Sequence, residues 1–215
     1  MTFQQMHDLL KTFLDKYDTP YFSSQQLDLI LTRAMYELIE NRFRNFEGDE
    51  RITQDLRPLV REYIVPVSQF NATTDALVLP NTHAVLTNML YIVSIRCEYK
   101  CGDSYKITYV KPVKHDELMA MMKDPFRKPT CDYPVYVLRS GGIYIYPQCS
   151  YNNFEITIIQ KPTPINATGA PTGVPILPEQ THDEIVQIAA RMLLNTIHDF
   201  NKYSNFVNVE IPRRE

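Results

Sequence analysis

The sequence predicts an α+β chain. It reads as a helical bundle of two N-terminal helices and one long C-terminal helix, with an antiparallel β-sandwich or open barrel inserted between. Three observations carry this. Apolar residues recur at three- and four-residue steps at both ends of the chain, the period of an amphipathic helix. In the middle, short β-branched and aromatic runs are bounded by turn residues, the pattern of strands. Between the two lies residues 161–180, a stretch holding Pro162, Pro164, Pro171, Pro175 and Pro178, which neither a helix nor a central strand tolerates.

The elements follow in order. Phe3, Met6, Leu9, Leu10, Phe13, Leu14 and Tyr17 predict a helix over 3–17, stopped by Pro20. Ser23 or Ser24 is a natural N-cap for a second helix, whose stripe runs from Leu27 through Leu31, Met35 and Leu38 to Phe43. Residues 1–48 are expected to pack as an antiparallel helical hairpin. Residues 49–160 are expected to form the sandwich, with strands at 63–67, 76–79, 89–97, 105–110, 135–138, 143–146 and 154–159 and a short helix near 115–122. The Gly141-Gly142 pair between two of these runs supplies the positive φ of a tight hairpin turn. The proline-rich stretch 161–180 reads as a stiff arm. Thr181 and Glu184 have capping-box spacing and start a helix over 181–203. Residues 204–215 read as an extended tail, and the whole as a single domain.

Composition narrows the function. Six glycines among 215 residues, only two of them adjacent, cannot build the Gly-rich turns that cradle phosphates. A net charge of −3 lacks the basic footprint of non-specific nucleic-acid binding. No run of apolar residues is long enough to cross a membrane, and no signal peptide is expected at the N-terminus. The cysteines Cys97, Cys101, Cys131 and Cys149 are expected to be free thiols in a reducing compartment.

Few residues could carry chemistry. Cys97 and Cys101 form the only close cysteine pair, with nothing beside them to complete a tetrahedral zinc site, so no metal is expected. His115-Asp116-Glu117 and His182-Asp183-Glu184 resemble catalytic clusters. Both sit at expected helix starts, however, where acidic side chains are stabilised by the helix dipole. Neither a catalytic residue nor a cofactor is expected. Tyr91, Tyr99, Tyr105, Tyr109, Tyr136, Tyr144 and Tyr146 all fall in expected strands. They could stack single-stranded nucleic acid, but without basic density a sheet or subunit-interface role accounts for them better.

Several phrases resemble the head-to-tail adaptor proteins of short-tailed phages, especially the ring proteins of crAss-like phages. They are Ile52-Thr-Gln-Asp-Leu-Arg-Pro-Leu59, Leu79-Pro80 with the run 90–96, His115-Asp-Glu-Leu with Asp124-Pro-Phe-Arg-Lys-Pro129, Ile143-Tyr-Ile-Tyr-Pro147, the run 156–165 and the run 177–189. The resemblance implies a helical bundle plus a β-sandwich or barrel. It also implies a dodecameric ring in the neck of the virion, assembled in the host cytoplasm, docked to the portal and to other tail or ring proteins. Genomic DNA would pass through its lumen without specific binding, and no membrane or catalysis would be involved.

The residues expected to make contacts are the hairpin tip Arg139, Ser140, Gly141 and Gly142, the loop Pro125, Phe126, Arg127 and Lys128, and the tail residues Phe206, Val207, Val209 and Ile211. The tail's apolar residues alternate, as a strand added to a neighbour's sheet would. Two alternatives belong to other classes: a small enzyme with a loop-built site, and a single-strand-binding module using the Tyr-rich sheet.

Overall fold

The computed structural model describes residues 1–14, 22–73, 75–101 and 104–197. The chain is α+β, as expected, but it divides into two compact units rather than one. The helical unit comprises residues 1–59 and those from 162 onward, and the β unit is Val60–Lys161.

In the helical unit, α1 (Phe3–Phe13) and α2 (Ser24–Phe43) each begin with a full capping box. Thr2 and Ser23 accept from the main-chain N–H of Gln5 and Gln26, and those glutamines accept from the cap N–H groups in return. Each pair satisfies two N–H groups that the helix start would otherwise leave open, a contribution of about 1 kcal/mol. The expected extension of α1 to Tyr17 lies outside the described residues. The start of the expected sandwich holds instead a further helix, α3 (Glu50–Leu56), capped by Asp49, and a 3-10 turn (Arg57–Leu59). The sandwich therefore starts at Val60, not at 49.

The β unit opens with β1 (Val60–Pro66), β2 (Asn71–Ala72), β3 (Leu77–Pro80) and a short helix α4 (Ala84–Asn88). It continues with β4 (Met89–Cys101), β5 (Ser104–Tyr109), β6 (Lys111–Pro112), α5 (His115–Lys123), β7 (Val135–Arg139), β8 (Gly142–Tyr146) and β9 (Tyr151–Gln160). All seven expected strands and the inserted helix are present. They form two open sheets, ordered β1-β9-β4-β5 and β2-β3-β8-β7-β6, so no barrel closes. The second sheet is not wholly antiparallel, because β6 runs parallel to β7.

Alternation explains the layers. Val65, Ile95, Cys97, Tyr99, Phe154, Ile156 and Ile158 of the first sheet share one apolar cluster with Leu77, Leu79, Ile143 and Ile145 of the second. The other face of the second sheet, Val135, Val137 and Tyr146, packs on Leu118 of α5. The β unit is thus three layers deep: four-stranded sheet, five-stranded sheet, helix. Gly142 alone of the glycine pair has positive φ, at 137°. A Cβ there would lie 1.9 Å from the Leu79 carbonyl oxygen, so this position requires glycine for both torsion and room.

The C-terminal helix α6 (His182–Ile197) is the shared partner of the helical unit. Both α1 and α2 pack mainly on it and little on each other, so the expected N-terminal hairpin is instead two helices joined through a third. The capping box expected at 181–184 does not form. The Thr181 hydroxyl donates to the Pro178 carbonyl at 2.7 Å, and the Glu184 carboxylate accepts from Arg42 at 2.6 Å. A 3-10 turn (Glu179–Thr181) leads into the helix instead.

Candidate interaction surfaces

The stretch 162–178 has no regular structure, as its prolines require, but it is no free arm. Ile165, Ala167 and Leu177 are buried. The Ile165 N–H donates to Thr32 Oγ1 at 3.0 Å, and the Ala167 N–H to Asp28 Oδ1 at 2.8 Å. The Thr168 hydroxyl donates to Asp28 Oδ2 at 3.0 Å. The N–H groups of Phe3 and Gln4 donate to the carbonyls of Gly173 and Pro171. The segment is a strap tied to α1 and α2 of its own chain. His7 Nε2 lies 2.8 Å from the same Asp28 carboxylate and is buried with it. With the Thr168 N–H at 3.5 Å as well, Asp28 organises four polar contacts under the strap.

A second polar cluster centres on Arg42, whose guanidinium donates to Asp55 at 2.5 Å and to Glu184 at 2.6 Å. Gln180 Nε2 donates to the other Asp55 oxygen. Arg42, Asp55 and Gln180 border an open concavity of about 550 Å³ with Glu50, Arg51 and Gln54. The Asp55 carboxylate already accepts two bonds. This suits a strut between α2, α3 and α6 better than a reacting group.

The His-Asp-Glu triplets separate. His115 is exposed at the start of α5. His182 is buried, its Nε2 3.0 Å from the Leu177 carbonyl oxygen, and burial holds its pKa below the ordinary histidine value. Among the described residues no group of three or more His, Cys, Asp or Glu side chains is placed to hold a metal ion.

The expectation of four free thiols fails. Cys131 and Cys149 form a disulfide, with Cα atoms 6.0 Å apart, at the open end of the β7–β8 hairpin. Cys97 is buried and Cys101 exposed. Burial pushes the Cys97 thiol up to about 12. Beside the disulfide, the Tyr99 hydroxyl donates to the Asp132 carboxylate, and that bond together with burial raises the phenol to about 12. Tyr99 and Tyr146 are buried, whereas Tyr105 and Tyr109 are exposed, so the strand tyrosines do not share one stacking face.

The expected contact residues differ in kind. Gly142 is buried under β3, and the hairpin tip is tied down, since Asn81 donates to the carbonyls of Ser140 and Gly141. Arg139 lies 4.8 Å over the Tyr144 ring. By contrast, the loop 125–128 is exposed throughout, and Phe126 is 98% exposed. Its turn is well built. Asp124 Oδ1 accepts from the Phe126 N–H at 2.9 Å, the Asp124 carbonyl accepts from the N–H groups of Arg127 and Lys128, and Pro129 is buried at the base. Phe206, Val207, Val209 and Ile211 lie outside the described residues.

Sequence reasoning missed a second surface. On the outer face of the four-stranded sheet, Ile64 is 73% exposed and Ile107 70%. Arg96 lies between them in the sheet, joined to Glu62 at 3.0 Å and to Glu155. The signal was present in the run 105–109, where Tyr105, Ile107 and Tyr109 alternate with Lys106 and Thr108. Alternation reports a two-faced strand without saying which face is covered.

No helix among the described residues is long and apolar enough to cross a membrane. No protein-family model and no curated protein matches the chain.

Proposed function

We propose that this protein is a virion structural component, a head-to-tail adaptor or ring subunit that docks to a portal or a neighbouring ring and surrounds the genome channel. The observation that carries this reading is the exposed apolar surface of the β unit: Phe126 on one side, Ile64, Ile107, Tyr105 and Tyr109 on another. Large apolar side chains gathered at the surface mark sites of protein association. Both sets stand on rigid supports, a hydrogen-bonded turn and a sheet, so ordering them at an interface costs little entropy. The phrase-level resemblance to ring proteins points the same way. The polar concavity beside Arg42, with its carboxylates already paired, supports a structural use of that cluster.

The subunit is expected to close into a ring of about twelve copies, in keeping with the closed cyclic symmetry of most soluble homo-oligomers. Negative-stain imaging of the protein, alone and co-expressed with a portal protein from the same genome, tests this. Rings alone or on the portal are the expected result. Absence of any ring, with no binding to portal or tail proteins, overturns the reading.

A further inference from the structure

We propose that Phe126 of one subunit enters the pocket between Ile64 and Ile107 on the outer sheet face of the next subunit. The proposal rests on the reading of the chain as a self-associating ring component and names the contact that builds it.

The pocket is about 160 Å³ and is bordered by Ile64, Ile107, Arg96, Glu98, Asn153 and Glu155. An apolar cavity of ~150 Å³ accepts a benzene ring, so one phenyl group fits. Phe126 does not occupy the pocket of its own chain, since its side chain stands in solvent. It leaves the C-terminal end of α5, which covers the outer face of the five-stranded sheet. The pocket lies on the outer face of the four-stranded sheet, with the shared core between them. Knob and pocket therefore occupy opposite faces of one unit. Two such surfaces meet only head to tail, and a head-to-tail contact propagates around a ring.

Charge agrees with shape. Lys123 and Lys128 flank Phe126, and neither takes part in an ion pair among the described residues. Arg127 is held 3.5 Å from Glu117. The pocket lining carries Glu98 and Glu155 against one cation, Arg96, which also pairs with Glu62 beside it. A basic-flanked aromatic ring thus faces an acidic-rimmed apolar hollow. Aromatic anchors in fitted pockets carry a disproportionate share of interface energy, and complementary rim charge steers the approach.

Intermolecular crosslinking tests the contact. Pro125→Cys and Asn153→Cys, which leave Phe126, Ile64 and Ile107 in place, are made in separate chains, both carrying Cys101→Ser to remove the exposed thiol, and the two chains are mixed under mild oxidation. The 125–153 heterodimer is expected to accumulate about tenfold faster than a 125–29 control made with Leu29→Cys, because a docked pair has a high effective concentration. Equal rates, or no heterodimer at millimolar protein, overturn the proposal. In sedimentation, Phe126→Ala is expected to weaken self-association by about 30-fold, and Phe126→Tyr to weaken it much less. An unchanged association constant for Phe126→Ala also overturns it. Rings on virions without the crosslink would sink this contact and leave the adaptor reading standing. The crosslink without any portal or tail binding would do the reverse.

Discussion

The Asp28 carboxylate on α2 accepts the main-chain N–H of Ala167 at 2.8 Å, across 139 positions of sequence. One side chain thereby holds a proline-rich strap whose own backbone can form neither helix nor ladder. It also accepts from Thr168 and meets the buried His7. Removing the carboxylate leaves the Ala167 N–H and the His7 ring without a partner inside the unit. Asp28→Ala is expected to cost about 3 kcal/mol, read from urea unfolding. Asp28→Asn is expected to cost less, because its amide oxygen can still accept from Ala167. A loss under 1 kcal/mol for Asp28→Ala would mean that the strap is held by its apolar residues alone.

The two hairpin glycines separate a torsional requirement from a mild crowding. At Gly142 a Cβ meets the Leu79 main chain, while at Gly141 it meets only the far end of the Tyr144 side chain, at 2.8 Å. Gly142→Ala is expected to destabilise the β unit by about 3 kcal/mol or more, since neither the positive φ nor the backbone contact can relax. Gly141→Ala is expected to cost under ~1 kcal/mol, because a side chain can swing away. Thermal unfolding of the pair checks the ordering, and equal losses would contradict the packing of β3 on β8.

The disulfide and the two remaining thiols give a chemical readout. Joining Cys131 to Cys149, 18 positions apart, removes loop entropy from the unfolded chain worth about 3 kcal/mol. Reduction, or the double variant Cys131→Ser with Cys149→Ser, is expected to lower stability by that order. Without reductant at pH 8, a thiol reagent is expected to modify Cys101 quickly and Cys97 only after unfolding, since the buried Cys97 thiol stays protonated. Mass spectrometry of the labelled chain distinguishes the sites. Rapid labelling of Cys97 in the folded protein would be incompatible with its burial.

His182 makes stability depend on pH with a definite sign. Burial lowers its folded-state pKa, against the opposing pull of the Leu177 carbonyl, so the folded chain binds this proton less readily than the unfolded chain. Its contribution is therefore fully present above the unfolded value, roughly 6.5, and is lost as pH falls below that toward the lowered folded value. Urea midpoints taken between pH 7.5 and 5 are expected to fall, and His182→Gln to flatten that part of the profile. An identical slope in the variant would assign the effect to other groups.

Much of the fold is legible in the sequence, for reasons that individual residues make plain. Several of the longer strands announce themselves because they bury alternate residues, as Ile95, Cys97 and Tyr99 do in β4 and Phe154, Ile156 and Ile158 in β9. The missed helix Glu50–Leu56 has only Asp55 and Leu56 buried, too little apolar periodicity to register, although Asp49 was available as its cap. The cap motif at Thr181 misled because Glu184 was already committed to Arg42, a tertiary claim that local spacing does not encode. The disulfide was invisible for a related reason. Cys131 and Cys149 meet only because β7 and β8 pair, and their separation in sequence matches no metal or redox motif. Of the candidate contacts, the loop around Phe126 could be read from its Asp-Pro-Phe turn chemistry. The hollow at Ile64 and Ile107 could not, since it joins residues from the two edge strands of one sheet.

Val60 and Ile159 face one another as partners in β1 and β9. The β unit thus enters and leaves through adjacent strands, like a drawer with both runners on one side. A segment with neighbouring ends can lengthen, shorten or exchange its loops while the helical unit that carries it experiences only a short gap to be closed. A change at a loop tip of the β unit is therefore expected to leave the ends of β1 and β9, and so the gap to be joined, where they are.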